Sequence, residues 1–180
     1  MRVITGLARG RKLGELKGKE TRPTTDKVKE SIFNIIQFDI EGRRVLDLFA
    51  GTGQLGIECL SREAASATFV DARNDAVRLI RENLKSTGLE ENATVLTADY
   101  ASMLASCREK YDLVFLDPPY ETKLLERALD LISQFDILRE HGIIVCESAA
   151  DKTLPELSAP YSKYREYRYG KIKVTVYHRD

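Results

Sequence analysis

Val45-Leu46-Asp47-Leu48-Phe49-Ala50-Gly51-Thr52-Gly53-Gln54-Leu55-Gly56 decides the fold. An apolar run, Val45–Phe49, passes through a G-x-G-x-x-G turn into a helical pattern, the strand, glycine loop and helix that open a βαβ unit. Outward from it, apolar runs recur at Thr68–Asp71, Thr94–Thr97, Leu113–Asp117 and Ile143–Glu147. Between them Val77, Ile80 and Leu84, and then Leu125, Ala128, Leu129 and Ile132, lie at helical spacing, each set one stripe against a sheet. Asn74 is placed to cap the first of these helices and Gly88 to end it. The alternation predicts a doubly wound, Rossmann-like α/β sheet, mostly parallel.

Pro155 and Pro160 mark a loop after the fifth strand, and Lys163–Tyr169 with Ile172–His178 predict a C-terminal antiparallel β pair turning at Gly170. Ahead of the core, residues 24–38 read as a helix with Val28, Ile32, Ile35 and Ile36 on one face and Thr24, Thr25 or Asp26 as caps. Residues 1–20 read as a short hairpin. Residues 1–38 are thus expected to be a small basic hairpin-and-helix extension packed on a core of residues 39–180, effectively one domain, as suits 180 residues.

The composition, 43% hydrophobic and 31% charged, is that of a globular chain. No apolar run has the roughly 18–20 residues needed to cross a bilayer, and the start carries no apolar signal core, so a cytoplasmic location is expected. Cys59, Cys107 and Cys146 have no paired spacing and read as reduced thiols; His141 and His178 have no ligand-type neighbour, so no metal site is expected. The 28 basic and 28 acidic side chains cancel, but not locally. Residues 1–30 carry a balance of +5, residues 160–180 one of +4, and the stretch between one of −9. Arg9, Arg11, Lys12 and Arg22, with Thr24 beside them, then Lys171 and Lys173, read as nucleic-acid contacts, interleaved at the C-terminus with Tyr161, Tyr164, Tyr167, Tyr169 and Tyr177. A solvated surface with packed tyrosines is the plainer alternative.

The glycine loop alone suits any nucleotide-like ligand. Asp71, at the end of the second strand, can hold a ribose diol of a dinucleotide or of S-adenosylmethionine. Asp47 narrows the choice, because a carboxylate beside the loop repels a pyrophosphate but suits the cationic methionine end of S-adenosylmethionine. Asp99, after the third strand, can accept from an adenine amine, as a helix N-cap, or as both. Right-handed crossovers bring these carboxylates and Asp117 to one edge of the sheet.

Asp117-Pro118-Pro119-Tyr120 is the most specific motif. Two prolines stop the fourth strand and stiffen the chain at the ligand edge. The Asp117 carboxylate and the Pro118 carbonyl can accept both hydrogens of an exocyclic amine on a planar base, with Tyr120 stacked on the base face. That arrangement suits methylation of an amine whose lone pair is delocalised into a ring. A stiff turn with a packed tyrosine is the bland alternative.

The glycine loop, Asp71, Asp99 and Asp117-Pro118-Pro119-Tyr120 resemble class I S-adenosylmethionine-dependent methyltransferases acting on amines. More narrowly, Arg9-Gly10-Arg11, Thr21-Arg22-Pro23-Thr24-Thr25-Asp26, Asp47–Glu58 and Tyr169-Gly170 resemble the RsmD family, bacterial 16S rRNA (guanine-N2)-methyltransferases. The resemblance implies S-adenosylmethionine held by Asp47, Phe49, Gly51, Gly53, Asp71, Asp99 and Tyr100. It further implies catalysis at Asp117, Pro118 and Tyr120, with 16S rRNA or a small ribosomal subunit as substrate and a monomeric enzyme. The chain departs from the family in having Lys171-Ile172 after the closing Tyr-Gly and Cys59 where an alanine is common. Competing expectations are an adenine-N6 DNA methyltransferase with the same motif, an NAD-binding Rossmann enzyme, and a non-catalytic ribosome assembly factor.

Overall fold

A computed structural model describes residues 1–18, 25–120 and 122–180. Its strands are β1 (Arg44–Asp47), β2 (Ser66–Asp71), β3 (Ala93–Thr97), β4 (Tyr111–Leu116), β5 (Leu138–Ala149), β6 (Tyr161–Tyr169) and β7 (Ile172–Arg179). The helices are α1 (Asp26–Ile35), α2 (Gln54–Ser61), α3 (Asn74–Thr87), α4 (Tyr100–Ser106) and α5 (Leu124–Phe135). They surround a seven-stranded sheet of order β3-β2-β1-β4-β5-β7-β6. The first five strands are parallel and β7 runs antiparallel between β5 and β6, as the sequence pattern predicts. Strand order reverses between β1 and β4, so the crevice at which an open α/β sheet binds ligands opens above their carboxyl ends.

The side-chain alternation sorts two cores. Val45, Phe115 and Val145 face a layer that includes α1, α2 and α3, while Leu46, Leu116 and Cys146 face α4 and α5. Gly56 lets α2 lie close on β2: a Cβ there would stand 2.3 Å from the Phe69 ring. Against the other end of the same layer, the Phe33 ring of α1 packs on Phe115 at 6.0 Å between centroids.

Several boundaries differ from the sequence reading, each for a local reason. Asp117 lies just past β4 rather than inside it, because Pro118 has no N–H to continue the ladder. Arg73, not Asn74, is the N-cap residue of α3, where Asp71 Oδ1 accepts from the Arg73 amide at 2.9 Å and holds the turn. Gly88 ends α3 in the left-handed conformation, as expected. Helix α1 begins on Thr25, whose Oγ1 accepts from the Val28 amide, and stops at Ile35, earlier than the spacing suggested. Strand β5 starts at Leu138, upstream of Ile143, since Leu138 pairs with Tyr111 through a polar stretch that shows no apolar run.

The N-terminal hairpin is reduced to one antiparallel bridge, Arg2 with Lys12, and backbone bonds between Val3, Gly10, Arg11, Leu13 and Met1. It is stitched along α2 by a buried charge. Glu58, fully buried, accepts from the Ile4 and Thr5 amides at 2.8 and 3.0 Å, from Arg62 Nε at 3.0 Å and from Lys29 Nζ at 3.1 Å. Lys29, also fully buried, donates as well to the Arg2 carbonyl at 2.9 Å. Burial pushes the Lys29 ammonium below its ordinary pKa and Glu58 pulls it back up. Among the described residues no helix is long and apolar enough to cross a membrane.

Removing one member of such a pair strands the other charge, at a cost of about 3–5 kcal/mol. Glu58→Ala is therefore expected to lower urea-unfolding stability by at least that amount, and the double variant Glu58→Leu/Lys29→Met to recover only part of it, because the Ile4 and Thr5 amides still lack their acceptor. A Glu58→Ala protein as stable as wild type would show the network to be energetically idle.

Candidate active site

Three parallel strand ends build the first half of the site. Asp47 closes β1 at 2% exposure, and its Oδ2 accepts from the Gly56 amide at 3.1 Å. Burial raises the Asp47 carboxyl to about 7; the Gly56 bond opposes that rise and the nearby Asp71 carboxylate adds to it. The loop above turns through Gly53, at φ 79, into the start of α2. Asp71 ends β2 and ties this loop down, its Oδ2 accepting from the Gly51 amide at 3.0 Å. A side chain at Gly51 would meet no protein atom within 4 Å, so the loop faces open space.

Asn83 of α3, invisible to motif reading, braces the same loop. Its Nδ2 donates to the Thr52 carbonyl at 2.9 Å, and its Oδ1 accepts from the Gly14 amide at 2.7 Å, so the N-terminal segment and the glycine loop share one support. Asp99, beyond β3, is the N-cap of α4 and accepts from the Ser102 amide at 3.0 Å. Tyr100, the first residue of α4, brings its ring to 5.2 Å from that of Phe49, just past β1. Asp47, Phe49, Gly51, Gly53, Asp71 and Tyr100 thus converge, with Asp99 on the rim.

The second half lies across the switch point. Leu48 N donates to the Phe115 carbonyl at 3.2 Å, which seats the end of β1 against β4 and brings Asp117 to the same crevice. Pro118 is buried, Pro119 exposed and Tyr120 half-buried. The Tyr120 hydroxyl donates to Glu147 of β5. Pro118, Pro119, Tyr120, Leu125, Glu147, Ser148 and Lys152 line a tight cleft. Thr122 Oγ1 donates to the Pro119 carbonyl and Lys152 Nζ to the Thr122 carbonyl, both at 2.8 Å, closing the loop behind the motif. Glu147 was not anticipated as a site residue; its one sequence signal is a carboxylate closing the apolar run Ile143–Cys146.

This arrangement has close counterparts. The model of a family described as Conserved hypothetical protein 95 matches residues 1–178. Ribosomal RNA small subunit methyltransferase D of Escherichia coli K12 is 36% identical over all of this chain and 90% of its own. The chain belongs to the RsmD family. Its similarity to YlbH of Bacillus subtilis is 42% identity over 98% of both chains. The solved structure of yhhF from Escherichia coli superposes with a TM-score of 0.90 at 36% identity, covering 100% of this chain and 98% of that one.

Within the RsmD frame the basic segments do not all reach the crevice. Arg9 and Arg11 are exposed on the hairpin. Their neighbour Ala8 donates to Ser61 Oγ at 2.9 Å, at the C-terminal end of α2, whereas the glycine loop sits at its N-terminal end. Arg22 and Thr24 lie outside the described residues. Lys173 is no phosphate contact: it is 3% exposed, its Nζ donating to the Lys152 carbonyl and pairing with Glu166 at 3.2 Å. Lys171 is exposed. Tyr161 and Tyr177 are core residues, their hydroxyls donating to Asp136 and to the Pro155 carbonyl, while Tyr164 stacks on His178 at 4.3 Å on the surface.

Asp47 yields a test in the protein alone. Unfolded, its carboxyl titrates near the ordinary 3.8; folded, near about 7. The folded state holds the extra proton between those values, so this residue's contribution to stability falls as pH rises from 4 to 7 and stays low above. Asp47→Asn keeps an acceptor for Gly56 and should be more stable than wild type at pH 8 by on the order of 2–4 kcal/mol. The difference should vanish near pH 4; melting curves that stay parallel across the range would contradict the assignment.

Proposed function

We propose that this RsmD protein transfers a methyl group from S-adenosylmethionine to the N2 amine of a guanine in small-subunit (16S) ribosomal RNA. The observation that carries this reading is the buried Asp47 carboxylate, beside an open glycine loop and across the β1/β4 switch point from Asp117-Pro118-Pro119-Tyr120. A buried anion whose charge is opposed by burial and by a second carboxylate suits a cationic ligand and opposes a pyrophosphate, which disfavours a dinucleotide. The substrate class follows the Escherichia coli relative, whose name describes a small-subunit rRNA methyltransferase.

Asp47 would hold the ammonium end of the cofactor, with the Gly51 and Gly53 backbone alongside. Asp71 would take the ribose hydroxyls, Asp99 and the Tyr100 amide the adenine, and the Phe49–Tyr100 ring pair its apolar flank. When bound, S-adenosylmethionine supplies an electrophilic methyl on a sulfonium that departs as a neutral thioether. The protein's task is then geometric. Asp117 and the Pro118 carbonyl accept the two amine hydrogens and turn the nitrogen lone pair toward the cofactor, and Tyr120 covers the base face. The methylated nitrogen is strongly acidic and gives its proton to Asp117 or water without a tuned base. Orientation and exclusion of water account for roughly 7–11 kcal/mol of the barrier. The base has to be splayed from its stack to enter, and the exposed Arg9 and Arg11 would hold the flanking backbone.

Methyl incorporation into small ribosomal subunits lacking the mark, followed by nucleoside analysis, tests the whole reading; N2-methylguanosine is the expected product, and methylation confined to DNA or protein would overturn it. Asp117→Ala should lower kcat by about a hundredfold or more while cofactor Kd stays within about threefold. An unchanged rate would remove Asp117 from the site. Cofactor affinity should weaken as pH falls below 7, because the cation needs Asp47 ionised. Arg9→Ala and Arg11→Ala should leave cofactor binding intact, weaken subunit binding, and each reduce the slope of log affinity against log salt by about 1.

A further inference from the structure

Past α1 the antiparallel end of the sheet opens into a groove. Lys29 meets Glu58 at 3.1 Å and, one turn on, the Arg62 guanidinium lies over the Phe33 ring at 4.6 Å, so α1 runs alongside α2 in the same direction. Its last turn therefore lies at the end of the sheet away from the glycine loop. There the groove, of about 360 Å³, crosses β5, β7 and β6, and it has the size of a small-ligand site. Its floor is Ile36, Ile143 and Val176, all buried on the α1–α3 side. Its wall is aromatic: Tyr167 is half-buried, and Tyr164, 60% exposed, stacks on His178 within 11° of parallel. Ile143 precedes Glu147 by four residues, so along β5 the groove is about 13 Å from the Asp-Pro-Pro-Tyr cleft.

Charge fixes the class of ligand. Three cations of β6 and β7 are matched inside the protein, Lys163 by Glu156, Lys173 by Glu166 and Arg179 by Asp136. Arg165, Arg168 and Lys171 are exposed and, among the described residues, in no salt bridge. Arg165 pairs across the strands with Val176, and its guanidinium lies 5.8 Å from the Tyr167 ring, on the groove side of β6. An acyl chain or an apolar peptide would fill the floor and leave these cations unmatched. A nucleotide answers both, with its base against the aromatic wall and its phosphate at the rim.

We propose that the groove is a second nucleobase subsite, holding one unstacked base of the RNA against Tyr164 and Tyr167 while Arg165 takes its phosphate. This rests on the RNA reading above and extends it to a contact remote from the methylated base. The two acids of the lining, Asp39 and Asp180, can accept from a base amine, an imino hydrogen or a 2′-hydroxyl. The hairpin is held at the same end of the sheet, through Ser61 at the last residue of α2.

The chain has no tryptophan, so Tyr164→Trp puts a single indole in the groove wall and keeps a stacking ring there. Its emission should be quenched, saturably, by small ribosomal subunits lacking the mark and by protein-free 16S rRNA. Tyr164→Ala should weaken subunit binding about five- to a hundredfold without changing its salt dependence, since stacking releases no counterion. Arg165→Ala should reduce the slope of log affinity against log salt by about 1. Neither should alter cofactor affinity.

An indole whose emission ignores bound subunits would overturn the proposal, as would a Tyr164→Ala protein with wild-type subunit affinity. Quenching by whole subunits but not by protein-free 16S rRNA that the protein still binds would also overturn it, and would seat a ribosomal protein in the groove. Failure of wild type to bind or methylate RNA in either form would instead overturn the underlying reading, and the subsite with it, a result visible without any variant.

Discussion

The close approach of α2 to β2 at Gly56 is the constraint on which the rest of the molecule depends. With no side chain there the helix lies against Phe69, and the Gly56 amide reaches Asp47. The first turn of this short helix continues the glycine loop and reaches Asp47, its middle carries Glu58, and its last residue, Ser61, anchors the hairpin through Ala8. A helix lifted off the sheet by one methyl group would shift all three together. Site geometry and attachment of the N-terminal segment are therefore one packing problem.

Two buried acids on neighbouring elements are handled in opposite ways. Glu58 is surrounded by two amides, a guanidinium and an ammonium, so its charge is met inside the protein. Asp47 has one amide and a like-charged neighbour, which is why its carboxyl is raised to about 7. The first arrangement fixes structure. The second leaves an electrostatic demand that an incoming cation can meet, and it lies against an open loop.

The centre of the sheet was legible because β1, β2 and β4 are short apolar runs buried on both faces, and the site because glycines and prolines constrain backbone in ways few side-chain patterns imitate. Asp47, Asp71 and Asp117 could be placed from their positions at strand ends. What stayed hidden were polar residues whose partners lie far along the chain. Asn83 sits in a helix pattern as any surface residue would, and only the fold brings it to Gly14 and Thr52. Glu147 looks like a strand terminus until β5 is paired with β4. Lys173 failed in the other direction: its charge suggested an exposed contact, yet β7 is covered on both sides by its neighbours in the sheet and the cation turns to a backbone carbonyl and Glu166.

The placement of the hairpin sets a distance. Helix α2 runs from Gln54 to Ser61, eight residues, or about 12 Å at 1.5 Å per residue. Ala8, bonded to Ser61 at the far end of that helix, therefore stands that axial length away from the glycine loop at its start. On the proposed reading the hairpin and the switch-point crevice would be the two fixed jaws of a calliper, one for a phosphate backbone and one for a splayed base.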